Sequence, residues 1–276
     1  MEPDPLPQYA PPPIPPRRPS TWQTLKKYLA PIVVVGALLF KFKSVLFAAL
    51  KSIKFLPVLL KTGGSMFITI WAYSMLYGWR LAVGFVLLIF VHECGHLLAA
   101  RRIGLKVGAP VFIPFMGAFI ALKEAPKNAW IESQVGIGGP LLGTLGAVVC
   151  WGIYALTSQP IWAALAYIGF FLNLFNLAPV GFLDGGRIVT ALSPWLWLVG
   201  IVIIGALLVM RFNFLILFIF LFSLPRVWSL FRAKTDEERR YFEVTPSQRW
   251  TMGLMYFLLI AFLVLGMELV RIEPPR

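Results

Sequence analysis

Only two histidines occur in the 276 residues, and they stand four apart around a glutamate: His92-Glu93-Cys94-Gly95-His96. On a helix this spacing puts both imidazoles on one face, about 40° apart and one turn removed. Such a pair can grip one zinc ion, and Glu93 between them can take the proton of a water held there, which is the chemistry of metal-assisted peptide hydrolysis. Chance is the competing explanation. It is disfavoured because Ala82–Val91 and Leu97–Ala100 on either side carry no charge. An ionisable cluster in such a run is costly unless it is paired or ligating.

Two histidines leave a tetrahedral zinc short of one protein ligand if the fourth position is kept for water. Asp184 is the outstanding remote carboxylate, in the segment Asn176-Leu-Ala-Pro179-Val-Gly-Phe-Leu183-Asp184-Gly-Gly-Arg187. Pro179 and Gly181 stop the preceding helix, and Gly185 and Gly186 are expected to let the backbone turn. Asp184 reads as a ligand on that bend, with capping of the next helix as its other role. Glu124, Glu132 and Glu268 are weaker ligand candidates. Asn173 and Asn176 share a helical face. Interhelical hydrogen bonding suffices for Asn173, whereas Asn176 can also donate to an oxygen that becomes negative during attack on a carbonyl.

The elements that must position these groups are greasy. The chain is 59% hydrophobic and 13% charged, against about 45–50% and about 25% in soluble domains, which excludes an ordinary soluble enzyme. Apolar runs at 63–79, 81–101, 135–157, 160–179, 190–210, 212–224 and 250–270 predict about seven transmembrane helices, the run at 212–224 being short. With the N-terminus placed inside, all of the 25 lysines and arginines except Arg80, Arg211, Arg271 and Arg276 fall on the inner side, the bias that orients membrane proteins. The net charge of +13 therefore reports topology and implies no nucleic-acid partner. Cys94 and Cys150 both lie within apolar stretches, so no disulfide framework is expected.

Between the second and third runs, residues 105–123 (LKVGAPVFIPFMGAFIALK) are too apolar for a solvated loop. Pro110 and Pro114 break any helix there. Strand formers on either side predict a short membrane-associated β-hairpin turning near Pro114–Gly117, lodged against protein or a wet cavity. Prolines crowd residues 1–20, which predicts a disordered tail. In 21–61, Lys43, Lys51, Lys54 and Lys61 fall within an arc of about 80°, as in a basic amphipathic helix lying in the interface. The domain reading is a tail at 1–20, the basic segment at 21–61, a catalytic core at 62–190, and accessory helices at 191–276 with a cytoplasmic loop at 225–249. Gly139 and Gly143, four apart, suit close helix packing.

HECGH at 92–96 and NLAPVGFLDGG at 176–186 together resemble the site-2 protease family of intramembrane zinc metalloproteases, over approximately residues 63–190. The resemblance implies an all-α polytopic membrane protein with a β-hairpin after the HExxH helix. It implies Zn2+ on His92, His96 and Asp184, Glu93 as general base and Asn176 as oxyanion helper. The implied reaction is hydrolysis of peptide bonds in or beside transmembrane segments of membrane proteins, within a lipid bilayer. Gly143 stands where some members carry a polar residue, and no stretch is long enough for a PDZ or CBS module. The rival is a metal transporter using the same His/Asp cluster as a transit site; a second is a membrane zinc peptidase with a glutamate as third ligand. A bacterial cytoplasmic membrane with the N-terminus in the cytoplasm is the expected location. The sequence implies no particular oligomeric state.

Overall fold

The computed structural model describes residues 56–270. The proline-rich tail and the basic segment up to residue 55 lie outside the described residues, as do Arg271 and Arg276. The described chain is mostly helical: α1 (Leu56–Tyr77), α2 (Trp79–Arg102), β1 (Val107–Ile113), β2 (Gly117–Leu122), α3 (Ala129–Thr157), α4 (Pro160–Asn176), α5 (Asp184–Leu192), α6 (Leu196–Met210), α7 (Phe214–Trp228), α8 (Asp236–Tyr241) and α9 (Pro246–Leu269).

Local chemistry sets the limits of these elements. Helix α2 ends on Arg101 and Arg102, whose charges suit the negative end of the helix dipole. Gly104 then takes a φ of 81°. The turn closes with Leu105 N–H donating to Ala100 O at 2.9 Å and Gly104 N–H to Arg101 O at 3.0 Å, the Schellman pattern that stops a helix. Asn128 caps α3 by accepting from Ile131 N–H at 2.9 Å, while Thr235 with Glu238 and Thr245 with Gln248 form capping boxes on α8 and α9.

Among the described residues, three helices, α2, α3 and α9, are long and apolar enough to cross a membrane; α4, α6 and α7 are apolar but shorter. The expected run at 190–210 is two helices, because Ser193 and Pro194 interrupt it: α5 ends at Leu192 and α6 begins at Leu196. Helix α1 starts at Leu56, upstream of the expected 63, so Lys61 belongs to a continuous helix.

The main core joins Leu88 of α2, Ile137 of α3, Phe170 of α4, Ile188 and Val189 of α5, and Met252, Leu259 and Leu263 of α9. The last helix is thus part of the central packing and not a peripheral addition. Large apolar side chains also point outward, among them Leu156 and Val209, each 88% exposed. A surface of this kind is soluble in lipid and not in water.

The hairpin lies where the strand formers place it. β1 and β2 are antiparallel, with Pro110 opposite Ile120, Phe112 opposite Ala118 and Ile113 opposite Gly117, and an irregularity between Val107 and Pro110. Pro110 sits at that irregularity, where its missing donor costs least. The outer edge of β1 is tied to α1: Thr62 Oγ1 donates to Pro110 O at 2.8 Å, and Phe112 N–H donates to Ser65 Oγ at 3.1 Å. The outer edge of β2 has no further backbone partner among the described residues.

Candidate metal centre

His92 and His96 share a face of α2 and meet Asp184 of α5. His92 Nε2 lies 3.1 Å from Asp184 Oδ2, and His96 Nε2 lies 3.2 Å from Asp184 Oδ1. The two Nε2 atoms are 3.1 Å apart. Among the described residues this is the one group of three His, Cys, Asp or Glu donors close enough for a single ion, all its ligand atoms lying within 4.8 Å of one another. All three residues are buried.

The far sides of the rings decide which nitrogens carry protons. His96 Nδ1 lies 2.8 Å from Val135 O, and a carbonyl can only accept, so Nδ1 holds the hydrogen. Asn173 Nδ2 donates to Gly169 O at 2.7 Å, which fixes the amide orientation and leaves Asn173 Oδ1 to accept from His92 Nδ1 at 2.8 Å. In their neutral forms both imidazoles then present an Nε2 lone pair to one point, where the carboxylate oxygens also converge. Electron-rich atoms gathered this way repel one another unless a cation sits among them. Two nitrogens and a carboxylate are a donor set that zinc takes, with one position left for water. The Asn173 and Val135 acceptors orient the two rings from behind.

Asp184 is the first residue of α5. The capping position belongs to Leu183, which makes no side-chain cap hydrogen bond, so the carboxylate is turned to the histidines. The positive end of the α5 dipole favours its charge by about 0.3–2 kcal/mol. Gly185 and Gly186 do not turn the backbone as expected, for both are helical. A Cβ on either would strike the carbonyl oxygens of 177–181, so they let α5 press against the preceding loop. The turn is made by Gly181, with a φ of 44°.

Gly139 and Gly143 allow close approach between helices as expected, and the space they leave is filled by groups of the site. A Cβ on Gly139 would run into His96 Nε2 and His92 Nε2, and one on Gly143 into the Asn173 amide. Gly95 and Gly138 take part in the same close approach of α2 and α3, a Cβ on Gly95 striking Gly138 O and Gly139 Cα, and one on Gly138 striking Gly95 O.

Glu93 is 6% exposed and, with His92, His96, Asp184 and Asn176, lines a cavity of about 900 Å³ whose other walls include β2 and α7. Asn176 Nδ2 donates to Leu172 O at 3.0 Å, which leaves its second N–H available. The weaker ligand candidates stand apart from the cluster. Glu124 pairs with Lys106 at 3.1 Å on the surface, and Glu268 is near the end of α9. Glu132 reaches the cavity, but its two oxygens are taken by Arg226 Nη2 at 2.7 Å and Tyr241 Oη at 2.7 Å. Arg226 Nη1 also donates to Gly181 O at 2.8 Å, tying α7 to the loop before Asp184. Cys94 and Cys150 are free.

Asn173, for which interhelical packing suffices on the sequence alone, instead holds His92, and Val135 holds His96 through its backbone. For Asn173 a signal existed, since a polar side chain inside an apolar helix, one turn from Asn176, is a functional candidate by default. A backbone carbonyl such as that of Val135 leaves no trace in residue type.

The sequence profile described as Peptidase family M50 matches residues 80–160 and 154–220. The chain is 30% identical over 119 residues to "Zinc metalloprotease MJ0392" of Methanocaldococcus jannaschii, covering 40% of this chain and 34% of that protein. It is 31% identical over 142 residues to "Putative zinc metalloprotease Rip3" of Mycobacterium tuberculosis, covering 47% and 35%. It is 27% identical over 156 residues to "Probable zinc metalloprotease EGY2, chloroplastic" of Arabidopsis thaliana, covering 40% and 27%. The chain thus spans about a third of the length of the curated relatives it matches. With the profile covering half of the chain, and with a buried His-His-Asp cluster suited to zinc inside the matched region, the protein belongs to peptidase family M50, the site-2 proteases.

Proposed function

We propose that this protein is an integral-membrane zinc endopeptidase that hydrolyses peptide bonds in or next to the transmembrane segments of membrane protein substrates. The observation that carries the reading is the convergence of His92, His96 and Asp184 beside Glu93, inside a cavity bordered by a strand edge with no further backbone partner among the described residues. His92 Nε2, His96 Nε2 and the Asp184 carboxylate would hold the ion. A bound zinc supplies Lewis acidity, lowering the pKa of water towards about 7 and polarising a carbonyl. Glu93 accepts the proton of the attacking water at its carboxylate and passes it to the leaving amine nitrogen. The second N–H of Asn176 donates to the carbonyl oxygen as charge builds there.

A helical substrate hides its carbonyls in its own hydrogen bonds, so it must unwind before attack. Backbone pairing of the unwound segment with the outer edge of β2 offsets part of that cost. The positive-inside bias places the loop at 225–249 and the N-terminus in the cytoplasm, with about seven crossings in all. A metal-transit role is not favoured, because transport needs polar side chains along a path, and the runs at 190–210, 212–224 and 250–270 offer almost none.

The test uses the full chain purified in detergent. Glu93→Gln is expected to abolish cleavage of a membrane peptide while zinc content stays equal to wild type; retained proteolysis would refute the role of the base. Asp184→Ala is expected to lose zinc, and unchanged zinc would refute the third ligand.

A further inference from the structure

Arg187 stands one turn after Asp184 on α5, lines the same cavity and is absorbed by none of the roles above. Its side chain is 20% exposed, and its Nη1 lies 3.9 Å from Asp184 Oδ1, beyond hydrogen-bonding reach. Of the other acids lining the cavity, Glu132 is occupied on both oxygens by Arg226 and Tyr241, and Glu93 makes no hydrogen bond to Arg187. The stem is confined as well: Gly136 of α3 has no side chain, and a Cβ there would come within 3.2 Å of Arg187 Cβ. A largely buried guanidinium carries five N–H donors and no acceptor of its own. Facing a cavity beside a general base, with the Asp184 carboxylate as a distant ion partner and no side-chain hydrogen bond among the described residues, it has donors left for acceptors that enter that cavity.

An unwound peptide brings such acceptors. In an extended strand, successive carbonyls point to opposite sides in the plane of the sheet. Pairing with β2 satisfies the carbonyls on one side and leaves the alternate ones facing away, unpaired in a medium of low dielectric, where each is costly. We propose that Arg187 binds substrate directly, its guanidinium donating to a main-chain carbonyl oxygen of the extended segment beside the scissile bond. This rests on the protease reading, and it adds a substrate-binding residue to that site.

The test uses the zinc-loaded full chain in detergent micelles, with a fluorogenic leucine-rich transmembrane peptide interrupted by Gly-Pro as the probe. Arg187→Gln is expected to lower kcat/KM by about 10-fold or more, the loss that follows removal of a hydrogen bond to a charged group. Arg187→Lys is expected to recover part of it, because it keeps the charge without the planar fork. Zinc content is the second readout. Removing a cation near the ion relieves repulsion, so Arg187→Gln is expected to hold zinc against a chelator at least as well as wild type. A kcat/KM within about two-fold of wild type would overturn the proposal. Loss of zinc from Arg187→Gln would also overturn it, by showing that the residue acts through Asp184. Failure of the protease reading looks different: it appears in the wild type, as a chain without zinc, or as Glu93→Gln cleaving the same peptide.

Discussion

Gly139 lies on α3 where a single methyl group would reach the Nε2 atoms of His92 and His96. Alanine is the better helix former by about 1 kcal/mol, so local propensity predicts that Gly139→Ala is stabilising. The site predicts the opposite for function. We expect Gly139→Ala to lose zinc and activity while α3 remains helical, measured by metal analysis and circular dichroism on the same preparation. Asn173 is the second residue to test. Its Oδ1 is the acceptor that holds His92 Nδ1–H, and removal of such a supporting partner typically costs about 10–100-fold in metal affinity. Asn173→Ala is expected to show that loss in a chelator competition, and affinity equal to wild type would show that His92 is oriented by packing alone.

Among the elements, the join between α7 and the centre depends on few polar contacts. Arg226 spans Glu132 of α3 and Gly181 O of the loop preceding Asp184, and Tyr241 of α8 closes the other Glu132 oxygen. Arg226→Ala leaves the partly buried Glu132 carboxylate without its cation, at a cost of about 1.5–3 kcal/mol for the lost charged hydrogen bonds. Greater protease sensitivity of the segment 229–245 between α7 and α9 is the expected outcome, measured by limited proteolysis against wild type. Burial, and then the Glu132 carboxylate beside it, push the Tyr241 phenol up from its ordinary value of 10.0. A raised folded pKa favours the neutral phenol. The contact therefore contributes fully below about pH 10 and is lost as the pH climbs through the folded value. Titration of tyrosine absorbance is expected to show one late-ionising group fewer in Tyr241→Phe than in wild type.

For the molecule as a whole, the outward apolar surface and the charge of +13 make opposite demands on a fractionation experiment. A basic protein held on an anionic membrane by charge alone is released by salt, because salt screens the attraction. A chain whose α2, α3 and α9 lie within the bilayer is released only by detergent. Detergent-only release is the expected result, and elution by high salt would contradict the membrane-spanning reading.

Local patterns were legible from the chain alone. The His92–His96 face needs only the 3.6-residue period of a helix, and the hairpin at 105–123 needs only strand formers broken by proline and glycine. The two paired motifs and the apolar runs likewise sufficed for the family and for a helical membrane architecture. Other features depended on which elements meet: the approach of Asp184 to both rings, the turning of Gly139 and Gly143 toward the site, the carbonyl of Val135 behind His96, and the closing of Glu132 by Arg226 and Tyr241. Period and propensity describe one element at a time, whereas a metal centre is built from atoms on several. Their convergence is set by side-chain packing between helices far apart in the chain, which only the tertiary structure decides.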